Sequence, residues 1–418
     1  MGTHNPRQVL ETLRDHLTQP ETHIAFLFGA GTSSAVRIRV PLPNKDDGSP
    51  NDPAFEERAL IPNVAELTAI CNREIRKLDP EGEAKRFASA LELVEGEAQP
   101  TGRTANIEDI LSCVRRKLHA IGNNDRLVGL SRDDLELLEA TIRRTIAAQV
   151  NPDKSNFPER LPHEDLVRWI ARMPRQHPVE IFTTNYDVLL ETALEAERVS
   201  AFDGFVGCNR PFFCHESLVR PESAPGAAWA RLWKVHGSIN WQIDTVRGHK
   251  RVVRTQPNNE GEMIMPSHHK YDESRKQPYS AFLDRLTRVL ERDDTILITC
   301  GYSFSDEHIN AILFDSLEAK QRPHIIALQY ADPEQTNVIV ERAARFLNFM
   351  VLARRSAIIG GKTGDWALAD NSAVPFLDGA FTLDVTPDGE QPSLKGEFLL
   401  GDFVKFSQFL ASLTGPAL

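Results

Sequence analysis

The sequence is poor in cysteine. Cys71, Cys113, Cys208, Cys214 and Cys300 are the five it has in 418 residues, scattered and without a Cys-x-x-Cys pair. That pattern excludes a disulfide framework and points to a reducing compartment. Cys208 and Cys214 are spaced too widely for a ribbon-type zinc site, so no metal is expected. Long apolar runs are missing as well: none approaches the roughly 20 residues that a membrane helix needs. No apolar signal core follows Met1–Arg7, so a cytoplasmic chain without a membrane partner is expected. An excess of positive charge is also absent. The formal net charge of −11 repels polyanions and argues against direct sequence-specific nucleic-acid binding. There is no internal repeat and no low-complexity tract. With 41% hydrophobic and 26% charged residues, the chain suits two domains or one large α/β domain carrying an insertion.

The most informative stretch is Ile24-Ala25-Phe26-Leu27-Phe28-Gly29-Ala30-Gly31-Thr32-Ser33-Ser34, an apolar run that empties into glycines and hydroxyls. It reads as a buried strand, a tight turn and a helix start. Gly29 and Gly31 remove the Cβ atoms that would keep a pyrophosphate off the backbone, and Ser33 or Ser34 can cap the helix, whose free N–H groups attract anions. The third glycine of the Gly-x-Gly-x-x-Gly fingerprint is replaced by Ser34, so the stretch alone fits a plain tight turn equally well.

Around it the chain alternates in character. Residues 5–19 carry Val9, Leu10, Leu13 and Leu17 at helical spacing. Residues 41–53 are breakers and charge, a surface loop able to order over a ligand. From about 60 to 172 only helix-spaced stripes occur, such as Ile107/Ile110/Leu111/Val114 and Leu135/Leu138/Ile142, which predicts a helical insertion after the first strand. Strands return at 179–184, 232–235, 262–266, 295–300 and 324–328, the last ending near Asp332, with helices between them. Such alternation predicts a mostly parallel sheet covered on both faces, with ligand at the carboxyl ends of its strands. In the tail, 360–364 reads as a turn, 381–385 as a strand and 399–413 as a helix bearing Phe403, Phe406, Phe409 and Leu410. That apolar stripe suits self-assembly, although such stripes are more often core. His268-His269 has no spaced partner and reads as surface.

Four loops follow four of these strands: Gly29-Ala30-Gly31-Thr32-Ser33, Thr184-Asn185-Tyr186-Asp187, Lys234-Val235-His236-Gly237-Ser238 and Gly301-Tyr302-Ser303-Phe304-Ser305-Asp306. Taken singly, Asp187 is a helix cap, His236 a hydrogen-bonded structural residue, and Tyr302 and Phe304 packing aromatics. In this order together, the loops resemble the sirtuin superfamily over residues 20–40 and 178–335. The resemblance implies NAD+ as ligand, cradled by Gly29, Ala30, Gly31, Thr32 and Ser33, with Thr184, Tyr186, Gly237, Gly301, Tyr302, Ser303 and Asp332 as further contacts. It implies Asn185, His236 and Asp187 as catalytic residues, with His236 the base. The zinc module of the protein deacylases is missing, since only Cys300 follows the His-Gly pair.

A helical insertion without that module looks like the sirtuin-related NAD hydrolases of bacterial antiphage defence, which often form large assemblies and in some cases partner a HerA-like hexameric ATPase. The fold expected is therefore α/β: a Rossmann-like, mostly parallel sheet with helices on both faces, an inserted helical subdomain and a small C-terminal appendage. The expected domains are 1–45 with 173–350 for the sheet, 46–172 for the insertion, and 351–418 for an appendage making assembly contacts in a homo-oligomer. The function expected is NAD+ glycohydrolysis. The alternatives are a non-catalytic NAD or ADP-ribose sensor that gates a partner ATPase or nuclease, and a zinc-free deacylase.

Overall fold

A computed structural model of the chain describes residues 2–41, 55–80, 85–99, 104–259, 277–319, 323–334, 337–370, 379–384 and 394–415. Residues 42–53 of the polar loop, the extended piece expected at 262–266, and His268-His269 lie outside them.

Strand β1 (Gly2–His4) and helix α1 (Pro6–Thr18) precede β2 (His23–Phe28), the strand that the apolar run builds. Asn5 starts α1 by accepting from the Arg7 amide at 3.0 Å. The five-residue helix α2 (Ala30–Ser34) follows β2 directly, and a hairpin of β3 (Arg37–Pro41) and β4 (Phe55–Ala59) leads into the insertion. Its helices are α3 (Val64–Arg76), α4 (Arg86–Ala98), α5 (Ile107–Ala120) and α6 (Arg132–Val150), and α7 (Pro162–Arg172) leads back to the sheet. Capping boxes start three of them, Asn63 with Glu66, Asn106 with Asp109 and Ser131 with Asp134, which is why these helices begin where they do.

The second half runs through β5 (Glu180–Thr183), α8 (Leu189–Ala196), β6 (Ala201–Phe202), β7 (Phe205–Val206), β8 (Phe212–Phe213), α9 (Glu216–Val219) and β9 (Ala230–Lys234). A hairpin of β10 (Trp241–Val246) and β11 (His249–Arg254) joins β7 and β8 in a small sheet. Then come α10 (Tyr279–Leu290), β12 (Thr295–Cys300), α11 (Glu307–Glu318), β13 (His324–Leu328), α12 (Val338–Arg345) and β14 (Phe349–Leu352). The chain closes with β15 (Ser356–Ile359), β16 (Lys362–Trp366), β17 (Phe381–Leu383), β18 (Gly396–Phe398) and α13 (Phe403–Ser412).

Ten strands form the central sheet in the order β1-β16-β15-β14-β13-β12-β2-β5-β9-β6. Pairing is parallel except at β14–β15 and β15–β16. Alternate residues of the buried strands feed different cores, as the period of two requires. Ile24, Phe26, Phe28, Ile296 and Ile298 face one layer with α1, α7, α8 and α13, while Ala25, Leu27 and Leu297 face the other with α10, α11 and α12. This is the Rossmann-like α/β architecture expected, with helices on both faces.

The chain leaves β2 toward β5 and β9 on one side and later builds β12, β13 and β14 on the other. The crevice between β2 and β12 is therefore the topological switch point of the sheet.

The insertion has its own apolar core, which includes Ile107, Ile110, Leu135 and Leu138. Tyr186, Leu189 and Ile239 belong to that same core, so the insertion is seated on the strand-end loops.

The C-terminal segment differs from the expected appendage. β15 and β16 extend the central sheet, β16 bridges it to β1, and α13 packs against α7. Phe403, Phe406, Phe409 and Leu410 are buried in the layer beneath β2, so this stripe is intramolecular core and offers no assembly surface. Phe28 meets Phe403 edge-on at 5.4 Å between ring centroids, an aromatic pairing that only a contact with β2 can supply.

Candidate active site at the carboxyl ends of β2, β5, β9 and β12

The loops after β2 and β12 are pressed together at the switch point. The Gly29 amide donates to the Cys300 carbonyl at 3.2 Å and the Gly31 amide to the Gly301 carbonyl at 3.0 Å. A Cβ on Gly29 would lie 2.5 Å from the Gly301 oxygen, and one on Gly31 2.6 Å from the Gly301 Cα. The structural need for these glycines is thus contact with a second loop. This differs from the clearance for a pyrophosphate that the sequence alone suggests.

The loop after β5 locks the turn from the other side. Asn185 Nδ2 donates toward the Gly29 carbonyl (3.1 Å), Thr32 Oγ1 (3.0 Å) and Ser33 Oγ (2.8 Å). Ser33 Oγ in turn donates to Asp187 Oδ2 at 2.6 Å, while Asp187 Oδ1 accepts the Leu189 amide at 3.0 Å and so starts α8. Asp187 is therefore a helix-start residue and a site residue at once, because its two oxygens serve different partners. Thr184 joins the same edge through its amide, which donates to the Phe28 carbonyl at 3.0 Å.

His236 leaves β9 just before Gly237, whose φ of +93° turns the chain. Its Nε2 lies 3.0 Å from Asp306 Oδ2, and Asp306 Oδ1 caps α11 by accepting from His308 (2.8 Å) and Ile309 (3.1 Å). The other ring nitrogen, Nδ1, is buried without a protein partner among the described residues.

Burial pulls the imidazole pKa down, but the hydrogen bond and charge of Asp306, with the charge of Glu108, raise it above its ordinary value. Asp306 shows the converse. Burial pushes its carboxyl up, yet the His236 contact and the two capping amides hold it well below the usual carboxylate range.

Three residues of this site were not singled out from sequence. Asp306 carries a readable local signal, an Asp just before a helix, which marks it as a cap and not as the partner of a histidine. Lys234 is buried and donates to the Asp187 carbonyl and to Glu191 at 3.1 Å, bracing the loop from below. Glu108, in the first turn of α5, accepts from Tyr186 Oη at 3.3 Å. Burial raises the Glu108 carboxyl pKa above its ordinary range, and His236 and Asp306 are among the groups acting on it. No local signal pointed to Glu108, because α5 belongs to the insertion.

Of the expected contacts, Gly29, Ala30, Gly31, Thr32, Ser33, Thr184, Asn185, Tyr186, Asp187, His236, Gly237 and Gly301 stand on the loops at this edge. Tyr302 is buried, and its hydroxyl donates to Asn310 Oδ1 at 3.1 Å. Ser303 is exposed and bonded to Ser305 at 2.8 Å. The Asp332 carboxylate is engaged elsewhere: it accepts the amides of Arg355 and Ser356 and the Ser356 hydroxyl, fastening the start of β15.

The fold and the site define a Rossmann-like α/β protein whose polar groups converge at the switch-point edge of the sheet. Residues 179–349 match the family model of the SIR2-like domain. SIR2-like domains are in general NAD-dependent enzymes and use NAD+, so the match fits an NAD-related enzymatic function for this chain. A search of curated proteins finds no match. Among the described residues, no group of three or more His, Cys, Asp or Glu side chains is placed to hold a metal ion, and no helix is long and apolar enough to cross a membrane.

Proposed function

We propose that the protein is an NAD+ glycohydrolase that releases nicotinamide and ADP-ribose. The observation that carries this reading is the setting of His236: Nε2 is held by Asp306, and Nδ1 is buried with no protein partner among the described residues. A ribose hydroxyl or a water is the kind of group such a nitrogen takes.

In the reaction the C1′–nitrogen bond breaks and its electron pair passes to nicotinamide, which leaves neutral. A water oxygen bonds to C1′ and loses its proton. The transition state is oxocarbenium-like, so the site has to fix the ribose and place a base beside it. His236 serves as that base through Nδ1. Asn185 fixes the glycine turn with its amide nitrogen, and its carbonyl oxygen faces the ribose or the water. Asp187 buttresses the loop, since both of its oxygens already hold protein donors.

The cellular setting we propose rests on the resemblance alone: a cytoplasmic antiphage effector that depletes NAD+, works as a homo-oligomer and partners a HerA-like ATPase. The division of the chain at 46–172 is likewise part of this reading.

The test is chromatographic analysis of products after incubation of the full chain with NAD+, beside His236→Ala and Asn185→Ala. Nicotinamide and ADP-ribose are expected from wild type, with a loss of about 100-fold or more in His236→Ala, the scale of a general base. Undiminished hydrolysis by His236→Ala removes that residue from the mechanism. Intact NAD+ from wild type in every assembly state favours a sensor.

A further inference from the structure

Glu108 is a carboxylate that the helical insertion brings to the loops of the sheet edge where His236 stands. It sits in the first turn of α5, started by the Asn106–Asp109 capping box, and Ile107 beside it packs in the same apolar cluster as Tyr186 and Ile239. One carboxyl oxygen accepts the Tyr186 hydroxyl at 3.3 Å, and Tyr186 directly follows Asn185. The Tyr186 ring stands 6.4 Å, centroid to centroid, from the His236 ring, which is itself held by Asp306.

We propose that Glu108 is a catalytic carboxylate of this site, the group that takes the proton of the attacking water and leaves His236 Nδ1 to the ribose hydroxyl. The inference rests on the glycohydrolase reading. As the water oxygen bonds to C1′ and the C1′–nitrogen pair departs with nicotinamide, the water proton passes to the Glu108 carboxylate and from there to solvent.

The environment suits the task. Two carboxylates stand in the neighbourhood of one imidazole and are driven in opposite directions. Asp306 is held ionised by His236 and the α11 amides, whereas burial raises Glu108 toward the range where a carboxylate is an effective base. The groups acting on Glu108 are His236 and the Tyr186 hydroxyl, which lower its pKa, and Asp306 and Asp109, which raise it. On this view the insertion completes the active site, and a sheet without it lacks the base for water.

The experiment measures nicotinamide release against pH, and ADP-ribose affinity by calorimetry, for the full-length wild type, Glu108→Gln and Glu108→Asp. Expected for Glu108→Gln is a fall in kcat of about 100-fold or more, with ADP-ribose affinity unchanged and an acid limb that follows the ionisation of His236 alone. Glu108→Asp is expected to recover part of the rate. Wild-type kcat in Glu108→Gln at every pH overturns the inference and leaves the hydrolase reading standing. Loss of ADP-ribose binding together with turnover in both variants shows a structural role and also overturns it. A wild type that binds ADP-ribose but releases no nicotinamide overturns the hydrolase reading, and this inference with it.

Discussion

Gly301→Ala tests the contact on which the site is built. Gly301 has a φ of +64°, and a Cβ there would lie 2.6 Å from the Thr32 nitrogen and 2.8 Å from both the Gly31 Cα and carbonyl carbon. All three neighbours are backbone, so no rotamer change relieves the clash. The left-handed conformation costs a non-glycine residue about 1–2 kcal/mol. Forcing a methyl into a packed contact adds about 1–3 kcal/mol. The sum is a destabilisation of about 2–5 kcal/mol.

Gly360 supplies the control, because its φ of +57° is nearly the same and nothing lies within 4 Å of its Cβ position. Gly360→Ala should therefore show the conformational cost alone, about 1–2 kcal/mol. Urea unfolding followed by tryptophan fluorescence reads the relevant layer, since Trp169, Trp229, Trp233, Trp241 and Trp366 all lie outside α3–α6. If the two variants fall within about 0.5 kcal/mol of each other at equal m-value, the loops after β2 and β12 are not pressed together as described.

Two further outcomes concern pH. His163 is buried against Phe403, 4.7 Å between ring centroids, and burial lowers its pKa to about 4 although the charge of Asp187 opposes this. The unfolded chain then takes the proton first, so stability is full above pH ~6.5 and declines toward pH ~4, by up to about 3 kcal/mol. His163→Leu should flatten much of that decline in acid unfolding curves, and parallel loss in both proteins would contradict the assignment. Asp306→Asn probes the His236 pair. Because His236 is raised and Asp306 lowered in the fold, the charged pair stabilises most between about pH 4 and 6.5. Its contribution fades as pH rises through the folded pKa of His236 or falls through that of Asp306. The stability gap between wild type and Asp306→Asn should narrow from pH 6 to 9, whereas a constant gap would show that the pair is not charged.

The sequence by itself determined the buried strands β2, β5, β9, β12 and β13, their order as strand–loop–helix units, the helical character of 60–172, and the four loops that carry Asn185, Asp187 and His236, but not β14, β15 and β16. Each of these is written locally: unbroken apolar runs for strands buried on both faces, helix-spaced stripes, and glycines or capping residues at the breaks. What needed the tertiary structure is whatever joins distant segments.

The hairpin of β10 and β11 was missed because Trp241–Arg254 has mixed polarity and gains its partners only in a side sheet. Apolar residues at helical spacing look the same whether they cover the chain's own sheet or another copy, so Phe403 and Phe406 were open to an assembly reading until β2 was seen above them. Gly31 and Gly301 stand 270 positions apart, and only their contact shows why both lack a Cβ. Glu108 and His236 are separated by the return of the chain from the insertion to the sheet, and no spacing rule links them. Electrostatic neighbourhood depends on distance in space, so the carboxylates beside His236 became visible only once the sheet and the insertion were packed together.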